Sequence, residues 1–147
     1  MALARVTFVS MWVAVWLGTV VTGSGPHAGD ENAARTGFDG VLVAHLHAGA
    51  VWATIAATIG CLIMLRSRAA VLVLAVEVLQ AAIGLTQYHL GLPIGLVILH
   101  LLGAALAIAA VTNLMLSVRR GSDRDLGSDS SLDPFELPAP DISGAKS

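Results

Sequence analysis

Charged side chains are scarce in this chain, and their scarcity decides its class. Only 12% of the 147 residues are Asp, Glu, Lys or Arg, whereas 56% are hydrophobic, and the mean hydropathy is +0.79. Soluble domains carry about 25% charged residues. The composition therefore excludes an ordinary soluble domain and predicts an all-α membrane protein embedded in the lipid bilayer.

Basic clusters and paired cysteines are missing as well. The formal net charge is −2 and no basic patch is present, which argues against nucleic acid as a partner. Cys61 is the single cysteine, so the chain has no intrachain disulfide. Because Cys61 lies inside an apolar run, we expect it to be a small packing residue.

Long apolar runs dominate what is present. They cover residues 6–22, 41–65, 69–88 and 94–118, lengths suited to a hydrocarbon core about 30 Å thick. The first run follows Arg5 and is compatible with a signal peptide, but no Ala-x-Ala cleavage site follows it, so a membrane helix is the favoured interpretation. Short links between the runs predict an up-down-up-down four-helix bundle over residues 1–120.

The positions of the arginines predict how the bundle is oriented. If the four runs alternate in direction, one side of the membrane receives all but one of the arginines: Arg5, Arg66, Arg68, Arg119, Arg120 and Arg124. The other side receives residues 22–40, with one arginine against three acids. Positively charged loops face the cytoplasm, so both termini are predicted to be cytoplasmic in a cell-membrane protein. Residues 121–147, rich in Ser, Asp, Pro and Gly, are predicted to form a disordered cytoplasmic tail.

Two histidines stand at the same depth in the predicted bundle. His47 follows the start of the second run by about six residues and His100 follows the start of the fourth run by about six, or about 9 Å. Parallel helices of one bundle can present two imidazoles to a metal or haem iron. Alternatively, a membrane histidine only hydrogen-bonds across helices.

The residues after these histidines are small. Residues 48–50 are Ala-Gly-Ala and residues 103–105 are Gly-Ala-Ala. Such residues leave room for a flat macrocycle, although they also permit close helix packing in lipid. His45 lies about 200° around the helix from His47, while His27 and His89 lie in the connections. We therefore expect these three to be surface or headgroup histidines.

Three further polar residues occupy the third run. Gln80 and Gln87 are seven positions apart and share a helix face, which indicates interhelical hydrogen bonds or, for Gln87, a place in the lining of the outer cofactor pocket. Glu77 lies near the middle of the membrane with no basic partner in any run. It is expected to be protonated or near water, and a proton or catalytic role is the less favoured interpretation.

The order and spacing of these segments resemble the bacterial haem A synthase family. Residues 17–30, LGTVVTGSGPHAGD, look like the end of a span and an outer loop of that family, and the stretch GSGPHAGD is the most specific piece. The element Leu46-His47-Ala48 resembles its histidine helix. Residues 87–100, QYHLGLPIGLVILH, resemble its final hairpin. The resemblance runs from about Leu17 to Leu116.

This resemblance implies a fold, a cofactor and a pathway. The family consists of two similar four-helix halves, and this chain looks like the C-terminal half only. In that half two histidines, here His47 and His100, hold a haem b. The N-terminal half, where haem O is thought to be oxidised to haem A, has no counterpart here. Family members often carry Gln at the position of His45, an acidic residue at that of Gly49, and in some cases a cysteine pair in the outer loop that this chain lacks.

The sequence thus leads to three hypotheses. The first is a half-length haem A synthase-like protein that binds a b-type haem through His47 and His100 and serves oxidation of haem O to haem A. It would act with a partner half or as a homo-oligomer, and its own catalytic residues are unknown. The second is a non-enzymatic haem-binding cytochrome or oxidase-assembly subunit. The third is a bundle whose histidines bind nothing.

Overall fold

Four helices make up the protein. The computed structural model describes residues 2–25, 32 and 34–129, with side chains as far as Gly121. The helices are α1 (Ala2–Ser24), α2 (Gly40–Leu65), α3 (Arg68–His89) and α4 (Ile94–Asp129). Each contains a stretch long and apolar enough to cross a membrane, and no strand occurs among the residues described. The predicted all-α membrane fold with four spanning helices is confirmed.

The helices pack as a closed ring of four. Both α1 and α3 contact α2 and α4, whereas α1 does not contact α3 and α2 does not contact α4 within the described chain. Consecutive helices joined by short links are antiparallel neighbours. Therefore α2 and α4, which carry His47 and His100, run parallel to each other on one diagonal of the bundle.

The two ends of the bundle differ in their residues. One end, called here the histidine end, holds Ser24, Gly40, His89 and Ile94. The opposite end, called here the arginine end, holds the turn at Arg66-Ser67 and the neighbouring Arg68. The structure fits a lipid bilayer because many large apolar side chains face outward, such as Trp16 (63% exposed), Trp52 (68%) and Met64 (76%). The cytoplasmic location of the arginine end remains a prediction.

The tightest apolar packing lies between the middle of the bundle and the arginine end. The buried apolar cluster consists of Ala4, Met11, Cys61, Ala70, Val73, Ala107, Ala110, Val111 and Leu114. Cys61 is fully buried, with its Sγ 3.4 Å from Oγ1 of Thr7, so its predicted role in packing is confirmed. Alanines on α3 and α4 let the helices approach closely, as small residues do in membrane bundles. The helices therefore pack most tightly in this half of the molecule, and the histidines lie in the other half.

The start of α2, which sets the height of His47, is fixed by Asp39. The Asp39 carboxylate accepts hydrogen bonds from the backbone N–H groups of Val41 (2.9 Å) and Leu42 (3.2 Å). Asp39→Ala is expected to lower the free energy of unfolding by about 1 kcal/mol, because two N–H groups of the first turn lose their acceptor. Denaturation in detergent followed by circular dichroism measures this, with Asp39→Asn as the control that keeps an oxygen acceptor. Equal losses in both variants would contradict the capping role.

Helix α4 extends further than the sequence predicted. The candidate membrane span of α4 covers Ile94–Gly121, in agreement with the predicted span at 94–118, but the helix itself continues to Asp129 and so into the first part of the predicted disordered tail. Extending a formed helix costs little compared with starting one, and no proline occurs between Pro93 and Pro134. Residues 130–147 of the predicted tail lie outside the described residues.

Candidate functional site

His47 is held against α1. Its Nδ1 lies 2.9 Å from the backbone carbonyl oxygen of Ala14. Its ring also packs on the backbone of Gly18, where an added Cβ would lie only 3.2 Å from Cε1 of His47. Glycine at position 18 therefore lets the imidazole reach the helix surface, and the carbonyl of Ala14 fixes the orientation of the ring.

His100 is held against α3 in a closely similar way. A Cβ added at Gly84 would lie 3.1 Å from Cε1 of His100 and 3.6 Å from each of its ring nitrogens. Unlike His47, its Nδ1 is buried and has no hydrogen-bond partner.

The two helix pairs therefore repeat one arrangement. In α1–α2 and again in α3–α4, a histidine near the start of the second helix packs on a glycine near the end of the first. Gly18 and Gly84 lie five to six residues before the ends of their helices, and the histidines lie six to seven residues after the starts of theirs. All four positions consequently lie at about one level, roughly 9 Å from the histidine end at 1.5 Å per residue.

The hydrogen bond of His47 determines what its other nitrogen can do. A carbonyl oxygen only accepts, so Nδ1 of His47 must be the donor. The neutral ring then carries its lone pair on Nε2, the arrangement of a metal-ligating histidine whose other nitrogen donates to a backbone carbonyl. The orphaned Nδ1 of His100 similarly identifies a buried imidazole with bonding capacity that the protein itself leaves unused.

Gln80 and Gln87 both lie on the α3 face that carries Gly84. The side-chain amide of Gln80 occupies the space that a Cβ at Gly103 would need, so Gln80 packs directly on the α4 backbone. The Oε1 atom of Gln87 is buried without a partner. The expectation that Gln87 lines a cofactor pocket stays a prediction, although its unpaired oxygen lies one turn from Gly84, toward the histidine end.

The remaining histidines differ from this pair. His45 is exposed, and its Nδ1 lies 2.7 Å from the carbonyl oxygen of Val41 in its own helix. His89 is exposed at the end of α3. Both agree with the expected surface positions. His27 lies outside the described residues, as do residues 26 and 28–30 of the GSGPHAGD stretch.

Glu77 has a partner that sequence reasoning missed. It is 5% exposed, and its Oε1 is hydrogen-bonded to Oγ1 of Thr58 on α2 at 2.8 Å, while its Oε2 is buried and unpaired. Thr54 and Thr58 are also buried. Threonines four positions apart on an apolar helix share a face, which was the available signal, but the sequence does not show which helix that face meets.

The bond between Thr58 and Glu77 makes a testable contribution to stability. Thr58→Val removes the only side-chain partner of a buried carboxyl group, and we expect a loss of about 1–3 kcal/mol in the free energy of unfolding. Thr112→Val is the matched control, because the Thr112 hydroxyl bonds only to the Ile108 carbonyl of its own helix. Denaturation in mixed detergent micelles measures both variants. Equal stability of the two would show that the interhelical bond contributes nothing.

No group of three or more His, Cys, Asp or Glu side chains that could hold a metal ion occurs among the described residues. A zinc site with four protein ligands would require such a group, whereas a haem needs at most two protein ligands, because the macrocycle supplies the other four. The histidine pair on the bundle diagonal thus remains the candidate site. The sequence matches no family model, no curated protein and no solved structure.

Proposed function

We propose that the protein is a half-length, haem A synthase-like membrane protein that binds one b-type haem through His47 and His100. The observation that supports this most strongly is the repeated glycine–histidine arrangement. It holds two imidazoles at one level on diagonal, parallel helices, and it leaves Nε2 of His47 free to act as a ligand. The resemblance of residues 17–116 to the haem A synthase family supplies the choice of haem.

The chemistry that this site suits is electron transfer. A haem with two histidine ligands exchanges single electrons and leaves no iron position open for oxygen. The chain's own contribution is to orient the ligands. The Ala14 carbonyl fixes the His47 ring, and the Gly18 and Gly84 backbones set how far each ring reaches into the bundle.

Service to the oxidation of haem O to haem A would then require a second component. The resemblance covers the half of the family that holds haem b and not the half thought to carry out the oxidation. We propose that a separate four-helix partner, or a second copy of this chain, completes the architecture. Whether the chain is itself an enzyme depends on that component.

A spectrum tests the haem proposal directly. The full-length protein, purified in detergent after expression with a haem supply, should give a reduced-minus-oxidised absorbance spectrum of a low-spin b-type haem, with about one haem per chain. Absence of haem after reconstitution with added haem would overturn the proposal. The bundle would then be one whose histidines bind nothing.

The second candidate is a haem-binding cytochrome or oxidase-assembly subunit without enzymatic activity. It is favoured by the same histidine pair, because an axial pair is sufficient for electron transfer without further groups. Mild-detergent purification followed by mass spectrometry distinguishes the two proposals. A co-purifying four-helix membrane protein and formation of haem A from haem O would support the first, while haem binding with no effect on haem A formation would support the second.

A further inference from the structure

The unsatisfied polar atoms of the bundle lie along one line. Among the described residues, the buried side-chain nitrogen and oxygen atoms without a hydrogen-bond partner are Oε2 of Glu77, Oε1 of Gln87 and Nδ1 of His100. Glu77, Gln80, Gly84 and Gln87 follow one another at intervals of three, four and three residues on one face of α3. His100 packs on Gly84, so its ring joins the same line.

This polar line connects the middle of the bundle to the histidine end. From Glu77 to Gln87 it covers ten residues of helix, or about 15 Å. Gly84 meets His100 and Gln80 meets Gly103, so the antiparallel register places Glu77 about level with Ala107. The α4 residues that face Gln80 and Glu77 are small and buried: they are Gly103 and Ala107.

Glu77 has no charged partner among the side chains that the structure describes on the helices packed against α3. It is the only carboxylic acid within the four candidate spans. On α2 the only titratable group between His47 and Arg66 is Cys61, which contacts Thr7. On α4 there is none between His100 and Arg119. The ends of α3 hold Arg68, Tyr88 and His89, and α1, which lies diagonally across the bundle from α3 and does not contact it, holds Arg5. Burying an ionised carboxylate with no opposite charge beside it is costly.

The contacts of Thr58 favour a protonated Glu77. Oγ1 of Thr58 is within hydrogen-bonding distance of two oxygens, the Thr54 carbonyl at 3.0 Å and Oε1 of Glu77 at 2.8 Å. The hydroxyl group has one proton to donate, and a carbonyl oxygen only accepts. If Thr58 donates to Glu77, the Thr54 carbonyl receives no full hydrogen bond from it; if Thr58 donates to Thr54, the 2.8 Å contact is a hydrogen bond only when the carboxylic acid of Glu77 donates to Thr58. A protonated Glu77 therefore satisfies both contacts, and its Oε2 remains a buried acceptor without a partner.

We propose that Glu77 is a proton-binding site in the membrane, and that its proton exchanges with the aqueous phase at the histidine end along Gln80, His100 and Gln87. Buried polar atoms in proteins are satisfied by protein groups or by ordered water. Water molecules between the side chains of this line would bond the free atoms of Glu77, His100 and Gln87 and carry the proton. The site requires no bound haem.

Infrared spectroscopy of the full-length protein in lipid tests this proposal. The C=O stretching band of a protonated carboxylic acid should be present at neutral pH and absent in Glu77→Gln. Because Glu77 is the only acid in the spans, its band is assignable without further variants. After transfer to D₂O the band should shift promptly, and Gln80→Leu or Gln87→Leu should slow the shift by about tenfold or more, equal to about 1.4 kcal/mol of barrier.

The matched control is Thr86→Val, which removes a polar group adjacent to Gln87 in sequence but off the line. Its exposed hydroxyl bonds to the Ala82 carbonyl of its own helix, so exchange should keep its normal rate. An ionised-carboxylate band that disappears in Glu77→Gln would overturn the proposal, and so would unchanged exchange in both glutamine variants. Folding of each variant is checked by helical circular dichroism. Loss of haem leaves the band in place, so failure of the haem proposal is distinguishable from failure of this one.

Discussion

Replacing His47 or His100 by alanine is expected to abolish stable haem binding. Loss of a residue that only supports a ligand typically costs about 10–100-fold in affinity, so loss of a ligand itself should cost more than about 100-fold. The ratio of haem to protein after size-exclusion chromatography measures the effect, together with the intensity of the reduced b-type band. Each single variant should lose the low-spin b-type band as completely as the double variant, because a haem held by one histidine is no longer low-spin.

His45→Ala is the matched control for this experiment. His45 lies two residues from His47, but its ring is exposed and bonds to its own helix at Val41. It should keep nearly all of the haem. If His45→Ala lost haem to the same extent as His47→Ala and His100→Ala, the assignment of the ligands would be wrong.

Leucine at Gly18 or Gly84 is expected to be nearly as damaging as loss of the histidines. A Cβ alone would come within 3.2 Å of His47 at Gly18 and 3.1 Å of His100 at Gly84, closer than ordinary van der Waals contact. The larger side chain must displace the imidazole, and misplacing a ligand by about 1 Å is enough to ruin a site. We expect at least about a tenfold lower haem content in each variant, measured as for the histidine variants.

Two other glycines provide controls on the same helices as the histidines. A Cβ at Gly49 on α2 or at Gly95 on α4 would meet nothing within 4 Å. Gly49→Leu and Gly95→Leu should therefore retain haem and helical content. Full haem binding by Gly84→Leu, with its helices intact, would show that contact with the α3 backbone does not position His100.

The two helix pairs, α1–α2 and α3–α4, share the glycine–histidine arrangement but differ at one position beside it. The position four residues before Gly18 is Ala14, whose carbonyl holds His47. The corresponding position before Gly84 is Gln80, whose side chain instead packs on Gly103. The Nδ1 atom of His100 has no partner, and it lies next to the polar line that leads to Glu77. In the function proposed here, the two ligands would therefore differ in their hydrogen bonding.

The sequence alone determined the membrane class, the number of helices and the depth of the histidines. These properties follow from local quantities: the length of an apolar run, the shortness of a link, and the fixed rise of a helix per residue. The packing of Cys61 was also predictable, because a lone thiol within an apolar run has few other roles. Residues 121–129 were mispredicted, since composition does not reveal how far a formed helix continues.

Only the tertiary structure decided which side chains meet. The partners of His47 and Glu77 are Ala14 and Thr58, on other helices, and the sequence does not show which helix either of them meets. The rotation of each helix about its axis is not fixed by hydropathy when nearly every face is apolar, as it is here, because lipid and protein interior are equally favourable for such residues. The packing of glycines and alanines sets that rotation, and with it the positions of the imidazoles and the polar line beside them.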